Sequence, residues 1–95
     1  MVEATLALRL RIYGRVQGVW YRAWSAEQAV QLGLDGWVRN RSDGTVEVVV
    51  RGSGPAVREM VRRCGEGPVA ARVSRVDESV EGGPVEPGFR KLPTA

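Results

Sequence analysis

Hydrophobic and polar side chains alternate or recur at helical spacing in short stretches along this chain. In residues 6–13 every second side chain is aliphatic, which is typical of a half-buried strand. In residues 21–32 the small apolar side chains of Ala23, Ala26, Ala29 and Val30 fall on one helical face, and Gly33 follows as a helix stop. Residues 14–20 lie between these two elements. The pattern therefore predicts a strand, a loop and a helix in that order.

For the rest of the chain the pattern predicts a second helix and four more strands. Two short strands are predicted at residues 36–40 and 45–51, separated by a tight Asp-Gly turn. Pro55 begins the second helix, whose apolar side chains keep the i, i+3, i+4, i+7 spacing of a core face. Residues 71–80 form a fourth strand with imperfect alternation, which indicates a bulge. A short last strand is predicted at residues 89–92.

This order of elements predicts an α+β fold. Two right-handed split strand–helix–strand units would pack into one antiparallel sheet of four to five strands, with both helices on one face. The predicted architecture is a ferredoxin-like sandwich. We expect residues 1–95 to form a single domain, since no linker, internal repeat or low-complexity tract interrupts them. Because this fold hosts many functions, it favours none of them.

The composition excludes several kinds of chemistry. The 95 residues include no histidine and one cysteine, Cys64, so an imidazole proton shuttle, an internal disulfide and a cysteine-built zinc site are excluded. We therefore expect neither a metal nor a cofactor. The net charge of +3 would favour anionic partners, but the basic residues are spread along the chain and form no nucleic-acid-binding run.

The hydropathy of the chain bears on its location. No apolar run approaches the ~18 residues of a membrane-spanning helix, and the N-terminal residues lack the pattern of a signal peptide. We therefore expect a cytoplasmic monomer that has no membrane partner.

The loop between the first strand and the first helix has features that suit a bound anion. The amides of such a loop and of the first helical turn carry unpaired N–H groups beside the positive end of the helix dipole. Gly14 and Gly18 allow the backbone angles that this needs. Arg22 is unfavourable in a first helical turn unless an anion binds nearby. Alternatively, the glycines merely turn the chain and Arg22 is solvated; these three residues alone leave both interpretations open.

Several segments of the chain form a recognisable pattern in their order and spacing: GRVQGVWYR, AVQLGLDGWVRN, SDGTVEV, the helix GSGPAVREMVRR, the dipeptide Gly67-Pro68 and the segment at Phe89. Through these segments the sequence resembles the acylphosphatase family over nearly its whole length. The pairing of GRVQGV with GWVRN is specific. The resemblance implies an enzyme that hydrolyses small acyl phosphates to a carboxylate and inorganic phosphate, with phosphate acting as both product and inhibitor.

The resemblance also implies a role for particular residues. The phosphate-binding loop corresponds to Gly14, Arg15, Val16, Gln17, Gly18 and Val19. Arg22 would clamp the phosphoryl group, since its planar guanidinium can bind two oxygens at once, and Asn40 would position the attacking water. Trp20 and Tyr21 stand where the family often has other aromatics, and we expect them to affect packing or access.

The chemistry of acyl phosphates agrees with these residue types. The carboxylate leaving group departs without a general acid, so hydrolysis needs mainly a positioned water and donors for the phosphoryl oxygens. The proton of the water is expected to pass to the substrate's own phosphate. Considered alone, Asn40 would be a turn former, and only the matched context favours a catalytic role. Trp24 and Trp37 are expected to pack, Cys64 to be an inert buried thiol and Asp43 to serve the turn.

Two other classes of function are considered. A nucleic-acid-binding module of this fold would need aromatic side chains on the open face of the sheet, yet the predicted face carries one aromatic among charged residues: Arg9, Arg11, Tyr13, Glu47 and Arg51. A non-catalytic module could instead bind acyl or carbamoyl phosphate for another protein. The intact Arg22 and Asn40 and the absence of a fused domain argue against it. We expect a small-molecule substrate and no nucleic-acid partner.

Overall fold

The computed structural model describes residues 4–95 of the chain. The described elements, in chain order, are β1 (Thr5–Arg15), α1 (Tyr21–Gln31), β2 (Asp35–Asn40), β3 (Val46–Ser53), α2 (Gly54–Glu66), β4 (Arg72–Val80) and β5 (Phe89–Lys91). The predicted order of strands and helices is confirmed. The strands form one sheet in the order β4-β1-β3-β2-β5.

The sheet is mixed. Strands β1 to β4 pair antiparallel, as predicted, whereas β5 pairs in parallel with β2. The prediction of a wholly antiparallel sheet is wrong for this last strand. Since β2 and β4 run in opposite directions, a chain that leaves β4, crosses the end of the sheet through residues 81–88 and turns back must run parallel to β2. The crossing brings the last strand beside the strand that ends at Asn40.

The core lies between the sheet and the two helices. Val57, Met60 and Cys64 of α2 are buried on the predicted core face. In α1 the buried residues are Tyr21, Ser25 and Ala29. Of the predicted apolar face only Ala29 is buried, and Val30 is 69% exposed. Ser25 can occupy a buried position because its hydroxyl donates a 3.0 Å hydrogen bond to the carbonyl oxygen of Arg22. The apolar pattern therefore identified only part of the buried face of α1.

The predicted bulge in β4 lies opposite the end of β1. The register between the two strands shifts after Tyr13, which leaves Ser74 as an extra residue on β4. Gly14 has a φ of +124°, and a Cβ at this position would lie 2.1 Å from the carbonyl oxygen of Arg72. Strand β1 continues through Arg15, so the predicted start of the loop at Gly14 is wrong. Glycine is needed here because the two strands approach closely.

The face of the sheet opposite the helices carries a buried carboxylate. Glu47 is 2% exposed and accepts hydrogen bonds from Arg9, Arg39 and Arg41. Burial alone would raise the pKa of Glu47, but the bonds from Arg39 and Arg9 outweigh it and hold the pKa below its usual range. Trp37 packs on this face between Arg9 and Arg39, as its ring centroid lies 5.6 and 4.8 Å from their guanidinium carbons. Arginines on this face are therefore largely neutralised.

Candidate active site

A loop of residues 16–20 connects β1 to α1. Val16 and Val19 are buried, so two of its side chains anchor the loop in the core. Gly18 has a φ of +72°, and a Cβ there would meet nothing within 4 Å. The backbone angle, and not crowding, is therefore what favours glycine at this position. The loop is held firmly at both ends while its middle stays open to solvent.

The loop ends at Trp20, which is the N-cap of α1. Within residues 4–95, Trp20 is the one non-glycine residue with a positive φ, at 71°. Its side chain makes no capping hydrogen bond, and the first turn of α1 contains no acidic residue. The first N–H groups of the helix therefore have no side-chain acceptor, although they carry the positive end of the helix dipole. An anion bound at this end would satisfy them.

Gln17 ties the loop to the turn between β2 and β3. Its side-chain amide donates hydrogen bonds to the carbonyl oxygens of Arg41 and Thr45, at 2.7 and 2.8 Å. Asp43 accepts from the hydroxyl and the backbone N–H of Thr45, and these bonds lower the pKa of the Asp43 carboxyl. Asp43 thus serves the turn, as predicted. The hydrogen bonds of Gln17 therefore hold the loop in place relative to the end of β2 at Asn40.

Tyr21 fixes the start of α1 against α2. Its buried hydroxyl donates a 2.7 Å hydrogen bond to the carbonyl oxygen of Cys64, and its ring packs edge-on against Trp24 with centroids 5.3 Å apart. Burial raises the pKa of the Cys64 thiol to about 12, so almost none of it is thiolate near neutral pH. This agrees with the prediction of an inert buried thiol. Because Tyr21 is held so firmly, the position of the next residue, Arg22, is fixed.

Arg22 and Asn40 line the same open cavity, which has a volume of about 620 Å³ and which we call the Arg22–Asn40 cavity. The other lining residues are Val16, Gly18, Trp20, Tyr21, Ala23, Lys91, Leu92 and Pro93. The structure therefore brings together four of the predicted site residues: Val16, Gly18, Arg22 and Asn40. Four others are not among the lining residues: Gly14, Arg15, Gln17 and Val19.

Uncompensated positive charge collects around the loop. Most cationic side chains form ion pairs, but five have no carboxylate within 4.0 Å among residues 4–95: Arg15, Arg22, Arg51, Arg72 and Lys91. Arg22 and Lys91 line the cavity. Arg15 and Arg72 face each other across β1 and β4, immediately before the loop. An anion near the loop would therefore meet a positive field.

Sequence reasoning missed Lys91. It is the only lysine of the chain, and it reaches the Arg22–Asn40 cavity because β5 pairs with β2 so that Lys91 lies beside Val38. The one feature of the sequence that could have drawn attention to this residue is that it is a lysine. The local sequence does not indicate which strand β5 joins, so it could not place Lys91 near the cavity.

Two further observations concern what the described chain could bind. Residues 4–95 bring together no group of three or more His, Cys, Asp or Glu side chains that could hold a metal ion. Neither helix described in this range has the length and apolar character needed to span a membrane.

A family model described as acylphosphatase matches residues 8–91. This chain belongs to the acylphosphatase family. It is 52% identical to the acylphosphatase of Rhizorhabdus wittichii over 89 residues, which cover 94% of this chain and 90% of that one. The solved acylphosphatase of Coxiella burnetii has a TM-score of 0.88 and 32% identity, with 93% of each chain covered. That of Bacillus subtilis has a TM-score of 0.86 and 30% identity, covering 92% of this chain and 98% of the other.

Membership in the acylphosphatase family confirms the resemblance that was inferred from the sequence motifs. It also confirms the predicted ferredoxin-like fold. It also makes the chain an enzyme of the acylphosphatase class. The comparisons therefore support a catalytic function over a nucleic-acid-binding module or an accessory binding module. The function of an acylphosphatase requires a place for a phosphoryl group, and the Arg22–Asn40 cavity is the candidate.

Proposed function

We propose that this acylphosphatase binds and hydrolyses small acyl phosphates in the Arg22–Asn40 cavity. The observation that carries this proposal is the shared location of two predicted residues. Arg22 lies in the first turn of α1 and Asn40 at the end of β2, yet both line one cavity beside the loop. Hydrolysis of an acyl phosphate needs phosphoryl-oxygen donors and a positioned water to meet at one place.

In this proposal the loop amides and Arg22 bind the phosphoryl group. The phosphate-binding residues are those of the matched motif: Gly14, Arg15, Val16, Gln17, Gly18, Val19 and Arg22. The uncapped N–H groups of α1 and the open backbone at Gly18 support a bound anion. The guanidinium of Arg22 has no carboxylate partner among the described residues, so it is available to two phosphoryl oxygens. Gly14 acts from the strand, where it permits the close contact with β4.

Asn40 would position the attacking water. A carboxamide can both accept from a water and donate to it or to a phosphoryl oxygen. In the reaction, the water oxygen forms a bond to phosphorus while the bond from phosphorus to the acyl oxygen breaks, and the carboxylate leaves with the electron pair. Both protons of the water end on the phosphate, which acts as its own base. No protein side chain needs to titrate near neutral pH.

Lys91 adds a second positive charge to the proposed site. Lys91 is one of the residues that line the cavity, and its ammonium group has no carboxylate partner among residues 4–95. A cation here favours a doubly charged phosphoryl group in the substrate and the negative charge that develops on the leaving carboxylate. We assign Lys91 this electrostatic role in addition to the predicted residues. We also keep the prediction that the enzyme works as a cytoplasmic monomer on small molecules, without nucleic acid.

The proposal is tested by assaying the purified protein with benzoyl phosphate in excess EDTA. We expect turnover that EDTA does not change and competitive inhibition by inorganic phosphate. Glycerol 2-phosphate is the control substrate, since its alkoxide leaving group needs a general acid that the proposed site lacks. Turnover that EDTA abolishes and a metal restores would contradict the proposed chemistry. Inhibition by phosphate that leaves the apparent KM unchanged would contradict phosphate binding at this site.

A further inference from the structure

A second groove lies beside α1 and adjoins the Arg22–Asn40 cavity, with which it shares lining residues. It has a volume of about 650 Å³, and we call it the α1 groove. Its residues are Trp20, Ala23, Ala26, Glu27, Val30, Gln31 and Lys91. Trp20, Ala23 and Lys91 line both spaces. A molecule with its phosphate at Arg22 can therefore extend directly into the groove.

We propose that the α1 groove binds the acyl group of the substrate and selects uncharged, apolar acyl groups larger than acetyl. This inference rests on the proposed function, because the cavity must first hold the phosphoryl group. The groove then determines which acyl phosphates are hydrolysed best.

Exposed apolar side chains support this assignment. Trp20 is 75% and Val30 69% exposed, and the other large exposed hydrophobic residues of the described range 4–95, Val69 and Val80, do not line the groove. A single exposed valine on a surface is ordinary. Here an indole and a valine line one groove with two small alanines, and the groove adjoins the site of reaction. An apolar acyl group would remove this surface from water.

The backbone of Trp20 gives a second, independent argument. Its φ of 71° is unfavourable for a bulky side chain and easy for glycine. Packing does not compensate, because the indole is mostly exposed. Strain of this kind is concentrated at functional sites. An aromatic wall for the substrate would account for an indole at this position.

The charges of the groove favour an uncharged acyl group. Glu27 lines the groove but not the Arg22–Asn40 cavity, and it has no cationic partner among residues 4–95. Its carboxylate would repel a second carboxylate on the acyl group. Lys91, in contrast, lines both spaces, so its positive charge can interact with the reacting carboxyl group near the boundary between them. The groove thus tolerates one negative charge near its junction and disfavours another beyond it.

The test compares kcat/KM for acetyl, benzoyl and succinyl phosphate in the wild type and in Trp20→Asn. Asparagine tolerates the left-handed backbone, so this variant removes the indole with little added strain. We expect the benzoyl-to-acetyl ratio of kcat/KM to fall about tenfold, the usual scale for losing apolar contact in a binding pocket. Val30→Ser should lower the ratio by less. Val80→Ser is the matched control, since Val80 lies on β4 at the opposite edge of the sheet, and it should leave the ratio unchanged.

A second measurement does not depend on turnover. A phosphonate analogue of benzoyl phosphate that cannot be hydrolysed should shift the fluorescence of the wild type to the blue, because it covers the exposed indole of Trp20. The acetyl analogue should not cause this shift, and Trp20→Asn should abolish it.

The outcomes separate the two proposals. Turnover of acetyl phosphate together with an unchanged benzoyl-to-acetyl ratio in Trp20→Asn would overturn the groove assignment and leave the proposed function intact. Better wild-type turnover of succinyl than of benzoyl phosphate would overturn the preference for uncharged groups. A wild type that hydrolyses none of the three would remove both proposals.

Discussion

The side-chain amide of Gln17 donates a 2.7 Å hydrogen bond to the carbonyl oxygen of Arg41. This bond joins the β1–α1 loop to the turn that follows Asn40, and a second bond to Thr45 strengthens the joint. The loop that would bind phosphate and the carboxamide that would position water are therefore held relative to each other by a side chain outside the cavity lining. A one-ångström misplacement in such a site can cost much of the rate.

Replacing Gln17 by glutamate should loosen this joint. A carboxylate has no N–H to donate and would face two carbonyl oxygens, so we expect the free energy of unfolding to fall by about 1–2 kcal/mol and kcat to fall with it. Gln28→Glu is the matched control, because the side-chain oxygen of Gln28 accepts from Arg63 and a carboxylate can still do so. Urea denaturation and steady-state kinetics measure the two effects. Equal changes in the free energy of unfolding and in kcat for the two variants would show that the hydrogen bonds of Gln17 are unimportant.

Arg22→Lys keeps a positive charge but loses the planar fork that can bind two oxygens. We expect kcat to fall by ~10²-fold or more, the usual effect of removing one preorganised donor to a developing negative charge, and phosphate inhibition to weaken. Arg51→Lys is the control, since Arg51 is exposed and lines neither the cavity nor the groove. Kinetics close to the wild type for Arg22→Lys would indicate that Arg22 is merely a solvated surface residue.

Two substitutions of Asn40 separate catalysis from turn formation. Asn40→Ala removes the group that would hold the water, so most turnover should be lost while phosphate still raises the melting temperature. Asn40→Asp is nearly isosteric but places a carboxylate near a doubly charged phosphoryl group. Turnover and phosphate binding should both weaken, by something on the order of 1–4 kcal/mol for charges at short range. An active Asn40→Asp enzyme with unchanged phosphate affinity would remove Asn40 from the mechanism, because aspartate also suits turns.

Gly14→Ala should destabilise the fold. The new Cβ would lie 2.1 Å from the carbonyl oxygen of Arg72, at a φ of +124°, so strands β1 and β4 would have to move apart. We expect the free energy of unfolding to decrease by roughly 2–4 kcal/mol. Gly65→Ala is the matched control in α2, where a Cβ meets nothing within 4 Å and helix propensity predicts a gain of about 0.5–1 kcal/mol. If urea denaturation shows that both substitutions change the free energy of unfolding in the same direction, the close contact at Gly14 does not determine stability.

Glu47 should make stability depend on acidic pH. Because its arginine partners lower its pKa in the folded protein, its contribution is complete above the ordinary glutamate pKa and is lost as pH falls through the folded value. Glu47→Gln should lower the free energy of unfolding by about 1–3 kcal/mol near pH 7, and this difference should shrink below about pH 4.5. Denaturation of both proteins at a series of pH values from 7 to 3 measures this difference in the free energy of unfolding. Glu59→Gln, which breaks ion pairs on an exposed helix surface, should have a much smaller effect.

The order of the elements could be predicted from the amino-acid sequence, because the signals for them are local. Alternation in residues 6–13 and the Asp-Gly turn after Asn40 each depend on neighbours within a few positions. The motif around Arg22 likewise identified the family and the candidate residues. The apolar pattern identified Ala29 but not the rest of the buried face of α1, since a hydroxyl such as that of Ser25 can be buried once it bonds its own helix backbone.

Contacts between distant segments, in contrast, became visible only in the folded chain. The need for glycine at residue 14 comes from the backbone of β4, the joint at Gln17 from the turn after β2, and the position of Lys91 from parallel pairing with β2. Lys91 likewise lines the α1 groove because β5 lies beside α1. Strand pairing brings together residues that are far apart in the chain, and the local alternation of apolar and polar side chains does not specify a strand's partner, direction or register.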